Sequence, residues 1–466
     1  MSDEPLTQTT TTKPTPTTTA TSSPVPRQAG AMGSASAPEG GQEATVPGRK
    51  AAVWLPRLLI LGLVLAALNL RPAITSLGAL LEEVRDGLHM SGSVAGVLTS
   101  VPPLCFAVFG ITAPRLARRF GPAAVVFAGM AAIALGLAVR PFTGGTAAFL
   151  AASALALMGI ALSNVLMPVI VKRYFPDRVG SMTGLYSMAL ALGTSLAAAA
   201  TVPMTDALGG SWRTGLGVWA ALAALAALAW LPLVRDRGRS AATAEGAGER
   251  QAEGTAGGTA ERGAAAGGSA GAPTVRITRS RTAWALGVFF GLQATGAYIT
   301  MGWMPQIFRD AGVSAGTAGV LLAVTMVMGV PLAFVIPRLA GRMKNQGPIV
   351  VALCLCGLGG YAGLFFAPAG GAWLWAVLLG VSNCSFPLAL TMIGMRSRTG
   401  GGVVRLSAFA QSVGYLISIP GPTLVGALYQ HSGGWDVPLA LMAGLMVPQM
   451  AVGILAGRDR TIEDEI

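Results

Sequence analysis

Charge is what this 466-residue chain has least of: Asp, Glu, Lys and Arg together make up 11% of it, where a soluble domain carries about 25%. So little charge cannot cover the surface of a water-soluble fold, which excludes an ordinary soluble enzyme. The 20 acidic residues fall in tails, loops, a linker or the ends of apolar runs, and none sits in the middle of a run. The two histidines, His89 and His431, lie between runs. A membrane-embedded enzyme needs clustered His, Asp or Glu, and a proton relay needs a titratable group in its path; neither is there. Cys105, Cys354, Cys356 and Cys384 all lie inside apolar runs. Cys354 and Cys356 point apart on a helix and have no His or second Cys pair nearby, so no metal site, disulfide or other cofactor is expected. The phosphate-binding pattern G-x4-G-K-[ST] is absent, which excludes a P-loop ATPase.

What the chain has instead is apolar length: 53% of its residues are hydrophobic. Runs long enough to cross a bilayer, about 20 residues each, fall near 57–80, 92–113, 122–140, 147–171, 181–203 and 212–234. Six more follow near 283–305, 315–338, 348–367, 371–394, 406–429 and 437–457. Backbone amides in lipid must be satisfied within the segment, so these runs are predicted as helices, and the alternating pattern of a β-barrel is missing. Kinks are expected at Pro72, Pro102, Pro103, Pro168, Pro331, Pro387, Pro420 and Pro422. The expected organisation is a disordered tail over 1–53, a six-helix bundle over 54–234, a Gly/Ala-rich disordered linker over 235–282, a second bundle over 283–457 and a tail over 458–466.

The net charge of +12 is a topology signal. With the N-terminus placed in the cytoplasm, the short inner segments carry 17 Lys and Arg, including Arg115, Arg118, Arg119, Arg338, Arg342 and Arg396. The outer loops carry four: Arg85, Arg140, Arg213 and Arg309. This bias predicts a multi-pass protein of the plasma membrane with both termini and the linker in the cytoplasm. It leaves no basic patch to bind nucleic acid.

The two sets of six are copies of one another. Aligning 95–119 with 318–342 gives ten identities in 25 positions, among them Ala95-Gly96-Val97-Leu98 with Ala318-Gly319-Val320-Leu321 and Pro114-Arg115-Leu116-Ala117 with Pro337-Arg338-Leu339-Ala340. Arg85-Asp86 matches Arg309-Asp310, and Ser163-Asn164-x3-Pro168 matches Ser382-Asn383-x3-Pro387. Since six is even, both copies insert with the same orientation, related by an axis along the membrane normal with a cavity between them.

Two six-helix repeats, a basic central linker and basic loops after the second and eighth helices resemble the major facilitator superfamily. Leu116-Ala117-Arg118-Arg119-Phe120-Gly121 is similar to its L-A-D-R-x-G loop, with Arg118, and Gly341 in the second copy, replacing the usual acid. A narrower resemblance is to the cyanate and 2-nitroimidazole transporter branch. It rests on Asn69-Leu70-Arg71-Pro72-Ala73-Ile74-Thr75-Ser76, Asn164-x3-Pro168-x3-Lys172-Arg173-x-Phe175-Pro176, Gly184-Leu185-Tyr186-Ser187 and Ala410-Gln411-Ser412-Val413-Gly414-Tyr415 with Gly421-Pro422. The resemblance implies an all-α integral membrane fold of twelve helices and no enzymatic activity. It implies alternating access to a small polar or anionic solute, or else export of a neutral, lipophilic, drug-like compound. It also implies a cavity lined by helices 1, 4, 7 and 10 with faces of 2, 5, 8 and 11, gating by Arg115, Arg119, Arg338 and Arg342, and function as a monomer.

Within the spans the residue to explain is Arg71, the only basic residue the sequence places mid-span. A charge at that depth costs several kcal/mol unless it meets water or a partner, and no mid-span carboxylate exists to pair with it. It is expected to meet carbonyls, amides or an anion arriving as substrate, with the Leu68 carbonyl, freed by Pro72, as a local acceptor. Thr75, four residues on, shares its face; Asn69, two residues back, points away. Arg71 aligns with Gly296, so the charge breaks the repeat's symmetry. The remaining candidates for the substrate site are Asn164 and Asn383 at matched positions, Tyr186, Gln293 and Thr300 on one face of helix 7, and Gln411 and Tyr415 on a helix 11 stripe with Ser407 and Ser418.

Overall fold

Long apolar stretches punctuated by Gly, Pro and Ser caps become helices, and helix is the only regular structure among the described residues. The computed structural model describes residues 48–234 and 277–465; most of the expected N-terminal tail and linker lies outside the described residues. In chain order the first six membrane helices are α1 (Arg57–Ala79), α2 (Gly92–Phe120), α3 (Pro122–Val139), α4 (Thr146–Tyr174), α5 (Val179–Ala207) and α6 (Trp212–Val234). The second six are α7 (Arg281–Asp310), α8 (Ala315–Arg342), α9 (Gly347–Phe366), α10 (Ala372–Met395), α11 (Gly402–Ser432) and α12 (Asp436–Ala456). The expected boundaries at 53 and 282 shift, because the first helix already begins at Gly48 and α7 at Arg281.

Eleven of these helices are long and apolar enough to cross a membrane. The one that falls short is α7, on composition and not on length. It has 30 residues, about 45 Å of helix, but carries Gln293, Thr295, Tyr298, Thr300 and Gln306, all of them buried. A helix with that much polarity needs protein around it, and α7 packs against α1, α8, α11 and α12.

The internal repeat is visible in the helix caps. Ser91 accepts a hydrogen bond from the Val94 amide at the start of α2, and Ser314 accepts one from the Thr317 amide at the start of α8. Each hydroxyl satisfies a donor that the first turn leaves orphaned. The prolines act less uniformly than expected. Helix α1 breaks before Pro72 and α11 before Pro420, whereas α8 and α10 break three residues ahead of Pro331 and Pro387, at Met328 and Cys384. That is where the ring displaces the preceding turn. Pro102, Pro103 and Pro168 lie inside unbroken helices.

The C-terminal residues are not a loose tail. Ile462 is fully buried, its amide donates to the Arg396 carbonyl at 2.9 Å, and the segment around it straps the end of the second bundle that carries the termini. Arg396, 2% exposed, donates through Nε to the Ala456 carbonyl and through Nη2 to the Gly457 carbonyl and Gln346 Oε1, tying the starts and ends of α9, α10 and α12 together. Glu465 accepts from the Ser280 hydroxyl at 2.6 Å and from the Thr282 hydroxyl and amide, so its charge sits on the N-terminus of α7. Glu463 accepts from the Ser397 hydroxyl and the Arg398 amide before α11.

Partial burial alone would raise the carboxyls of Glu463 and Glu465, but these hydrogen bonds hold both below their ordinary value. Carboxyls depressed on folding contribute stability above their unfolded value, about pH 4.3, which is lost as pH falls through the folded value. Deleting residues 459–466 is therefore expected to lower the unfolding midpoint by several degrees, since a cap of this kind contributes about 1 kcal/mol. The difference between full-length and truncated protein should be flat from about pH 5 to 8 and shrink below about pH 4. Thermal unfolding of the two in the same detergent across that range measures it; the part due to buried Ile462 should remain at low pH, and a difference that does not shrink at all below about pH 4 would sink the carboxylate caps.

Candidate functional site

The site begins with a break in α1. Pro72 lacks an N–H and disfavours helical backbone in the residue before it, so the first segment ends at Asn69 and a second starts at Pro72. Arg71, expected inside a continuous helix, stands in the gap with φ −131° and ψ −26°. The carbonyl of Leu68, expected as its acceptor, lies instead against Gly193 of α5, where a Cβ would overlap it. Asn69 does turn away: its Nδ2 donates to the Leu65 carbonyl at 2.8 Å and the Leu222 carbonyl at 3.2 Å, fastening α1 to α6.

Around the Arg71 guanidinium, helices from both halves converge. Its Cζ lies 5.7 Å from the centre of the Phe106 ring of α2. Phe106 stacks on Tyr415 of α11 at 5.1 Å, and Tyr415 meets the edge of Phe290 of α7 at 5.2 Å. The Tyr298 hydroxyl of α7 lies close to the Arg71 guanidinium and feels its charge. Aromatic faces stabilise a cation by about 0.5–2 kcal/mol but do not neutralise it, and none of the ion pairs among the described residues involves Arg71. Half-buried, with an aromatic wall on one side and guanidinium donors to spare, it can receive a planar group with acceptor oxygens or nitrogens.

The other sequence candidates fall into groups. Tyr415 joins Arg71. Gln293 donates through Nε2 to Asn383 Oδ1 at 3.3 Å, joining α7 to α10, and its buried Oε1 finds no donor among the described residues. Thr300 lies beside the Tyr361 hydroxyl of α9. Gln411 donates to Ser407 at 2.7 Å within its own helix. Thr75 is fully buried and gives its hydroxyl to the Arg71 carbonyl at 3.3 Å, so it braces the break. Asn164 and Tyr186 are half-buried in α4 and α5. Among the basic loop residues, Arg119 lies over Phe120 and Arg115, Arg338 and Arg342 are exposed at the end that carries the termini. Sequence reasoning missed Phe106, Phe290 and Tyr298. The one signal for Tyr298 was a tyrosine placed on the most polar of the twelve helices.

Beyond Arg71, toward the end remote from the termini, the halves are in close contact. Arg309 of α7 pairs with Glu82 and Glu83 after α1, each at 2.9 Å. Gln306 donates to Glu82, Ser93 donates to Gln430, and Ser100 and Thr423 share a 2.7 Å bond. The backbones touch where Gly78 of α1 meets Met301 and Gly302 of α7. Every residue from Pro72 to Ala79 and from Tyr298 to Phe308 is buried. The halves are thus closed against each other on the side of Arg71 remote from the termini. Arg140 corrects the sequence reading: expected in an outer loop, it is 1% exposed, with Nη1 donating to the Ala73 carbonyl at 3.4 Å and its Cζ 5.5 Å from the Phe149 ring centre.

The family model described as Major Facilitator Superfamily matches residues 59–418. The chain is 32% identical to the 2-nitroimidazole transporter of Escherichia coli (strain K12) over 87% of its own length and 96% of that protein. It is 29% identical to the cyanate transport protein CynX of the same organism over 84% and 95%. The inward open xylose transporter XylE from E. coli shares its fold with a TM-score of 0.64 at 11% identity, over 87% of this chain and 98% of that one. A helical fold of two related bundles and a family match across most of both make the chain a multi-pass membrane transporter of the major facilitator superfamily.

Proposed function

We propose that the protein moves a small polar or anionic solute across the plasma membrane by alternating access between its two bundles, as a secondary active or facilitated transporter, with Arg71 as the group that grips the substrate. The observation that carries this is a half-exposed guanidinium at the break of α1 with no carboxylate partner among the described residues. A charge held there at a cost of several kcal/mol is a functional group by default. Tyr298, Tyr415 and Phe106 form the wall against which a planar substrate lies, with Gln293 and Asn383 as polar points farther along the site. Thr75, Asn164, Tyr186, Thr300 and Gln411 complete the reading, Thr75 by bracing the break. Two relatives are named for their cargo, a cyanate transport protein and a 2-nitroimidazole transporter; cyanate is a small linear anion and 2-nitroimidazole a flat ring, and both can lie along such a wall.

The basic inner segments favour both termini in the cytoplasm, so the closed end faces outside, and Arg115, Arg119, Arg338 and Arg342 lie at the cytoplasmic end. The chain works as a monomer in the lipid bilayer, without a cofactor.

The test is uptake into proteoliposomes of a panel of small anions, cyanate, nitrate, formate and 4-hydroxybenzoate, beside neutral 2-nitroimidazole. Wild type should take up at least one anion saturably, and Arg71→Ala should lose that uptake by about 100-fold, the worth of two charge-assisted hydrogen bonds. Undiminished uptake by a folded Arg71→Ala protein would remove the anion site and leave the neutral, drug-like cargo.

A further inference from the structure

Arg140 has no use in the site just described, and its surroundings are unusual for an arginine. It leaves the end of α3 in a short 3-10 turn, Arg140–Phe142, and its side chain runs inward instead of out to solvent. One donor reaches the Ala73 carbonyl, but Nε and Nη2 are buried with no acceptor among the described residues. No carboxylate among the described residues forms an ion pair with it. A brace between α3 and α1 would need one hydrogen bond, and a glutamine could make it. A full charge with two idle donors, taken out of water at a cost of several kcal/mol, is hard to account for as packing.

The guanidinium lines a small cavity of about 10 Å³, room for about one water molecule. Its walls come from both halves: Ala73, Gly78 and Thr99 from the first, Tyr298 and Gly302 from the second. Gly78, Thr99 and Gly302 are also where the outer ends of the halves touch. Separating those ends would therefore open this cavity to the outside. Tyr298 belongs to both places. It lines the Arg140 cavity and lies beside Arg71, so it stands as a partition between two cations.

We propose that Arg140 is a second anion-binding group, the outward-facing counterpart of Arg71. A small monovalent anion passing between the outer end and the central site pairs with the free edge of Arg140 when the outer ends part, and moves past Tyr298 to Arg71 when they close. This rests on the reading of the substrate as an anion, and it adds a site that faces the other side of the membrane.

The probe is nitrate, compared with gluconate, a much bulkier monovalent anion, on the full chain in detergent. A ligand that binds only the folded state raises the unfolding midpoint by mass action. Arg71→Gln removes the central site and leaves Arg140 alone; in roughly 100 mM nitrate its midpoint should rise by roughly 2–4 °C over gluconate. The Arg71→Gln/Arg140→Gln double variant should show no rise, and Arg71→Gln/Arg140→Lys a smaller one, because Lys keeps the charge and loses the fork. No rise in Arg71→Gln overturns the proposal, whether or not the Arg140 variants fold, and so does an undiminished rise in the double variant. Equal rises in wild type and Arg71→Gln, lost with Arg140, would keep this proposal and defeat the Arg71 reading instead.

Discussion

Arg71→Lys is expected to lose transport of whichever anion the panel identifies by about 100-fold in kcat/KM, nearly as much as Arg71→Ala, while its unfolding midpoint stays within a few degrees of wild type. The charge is retained, so a site that needed only a positive potential would survive. What is lost is shape. The guanidinium lies over Phe106 with Tyr298 beside it, and a guanidinium edge presents two parallel donors to a planar anion. An ammonium is a point charge on a flexible stem and cannot fill that geometry. Losing two hydrogen bonds to a charged group removes about 3 kcal/mol or more, and each 1.4 kcal/mol is about a factor of ten. A latch role predicts the reverse pattern: a lower midpoint with near-normal kcat/KM in whatever folds. Uptake kinetics and thermal unfolding of the same preparations separate the two.

Gly78→Val is expected to reduce uptake by more than about tenfold without unfolding the protein, by keeping the outer ends apart. A Cβ at position 78 would overlap the Met301 carbonyl across the interface between the halves. Overpacking of this sort costs about 1–3 kcal/mol. Inside one bundle that cost would fall on folding. Here it falls on one conformation, so the balance shifts about 5- to 150-fold toward the state in which Gly78 and Met301 are separated. The ion pairs of Arg309 with Glu82 and Glu83 then lose their register, but they lie near the surface, and exposed pairs contribute about 1 kcal/mol or less. Labelling of Thr99→Cys by an impermeant maleimide, with Cys356 replaced by Ser, reads the outer opening. Thr99 is 6% exposed, so labelling should be slow where Gly78 is kept and fast where Gly78→Val is added. Equal labelling in both would mean that this contact is not a moving gate.

Much of the fold was legible in the sequence because a bilayer permits so few answers. Apolar length gave the helices, and matched motifs such as Ser163-Asn164 with Ser382-Asn383 gave the repeat. Arg71 was legible for the same reason, since a lone charge in an apolar run has few explanations. Arg140 was not. A basic residue just past the end of a span reads as a loop residue, because long side chains there normally extend toward water. Whether one turns inward depends on neighbours such as Ala73 and Phe149 that are distant in sequence. Tyr298 was missed because the helical face was drawn through Gln293 and Thr300, and the break in α1 brings Arg71 to a different side of α7. The acidic ending Glu463-Asp464-Glu465 fell in the expected tail over 458–466, since nothing local shows that two helix starts lie within its reach.

That ending bears on how the protein is handled at the bench. An affinity tag or fluorescent reporter joined directly after Ile466 would sit next to Glu465, whose carboxylate holds Ser280 and Thr282 at the start of α7. Any drag on the fusion partner would be felt by the helix that carries Gln293, Tyr298 and Thr300. A long flexible spacer before the tag, or a tag at the other end of the chain, leaves that contact alone.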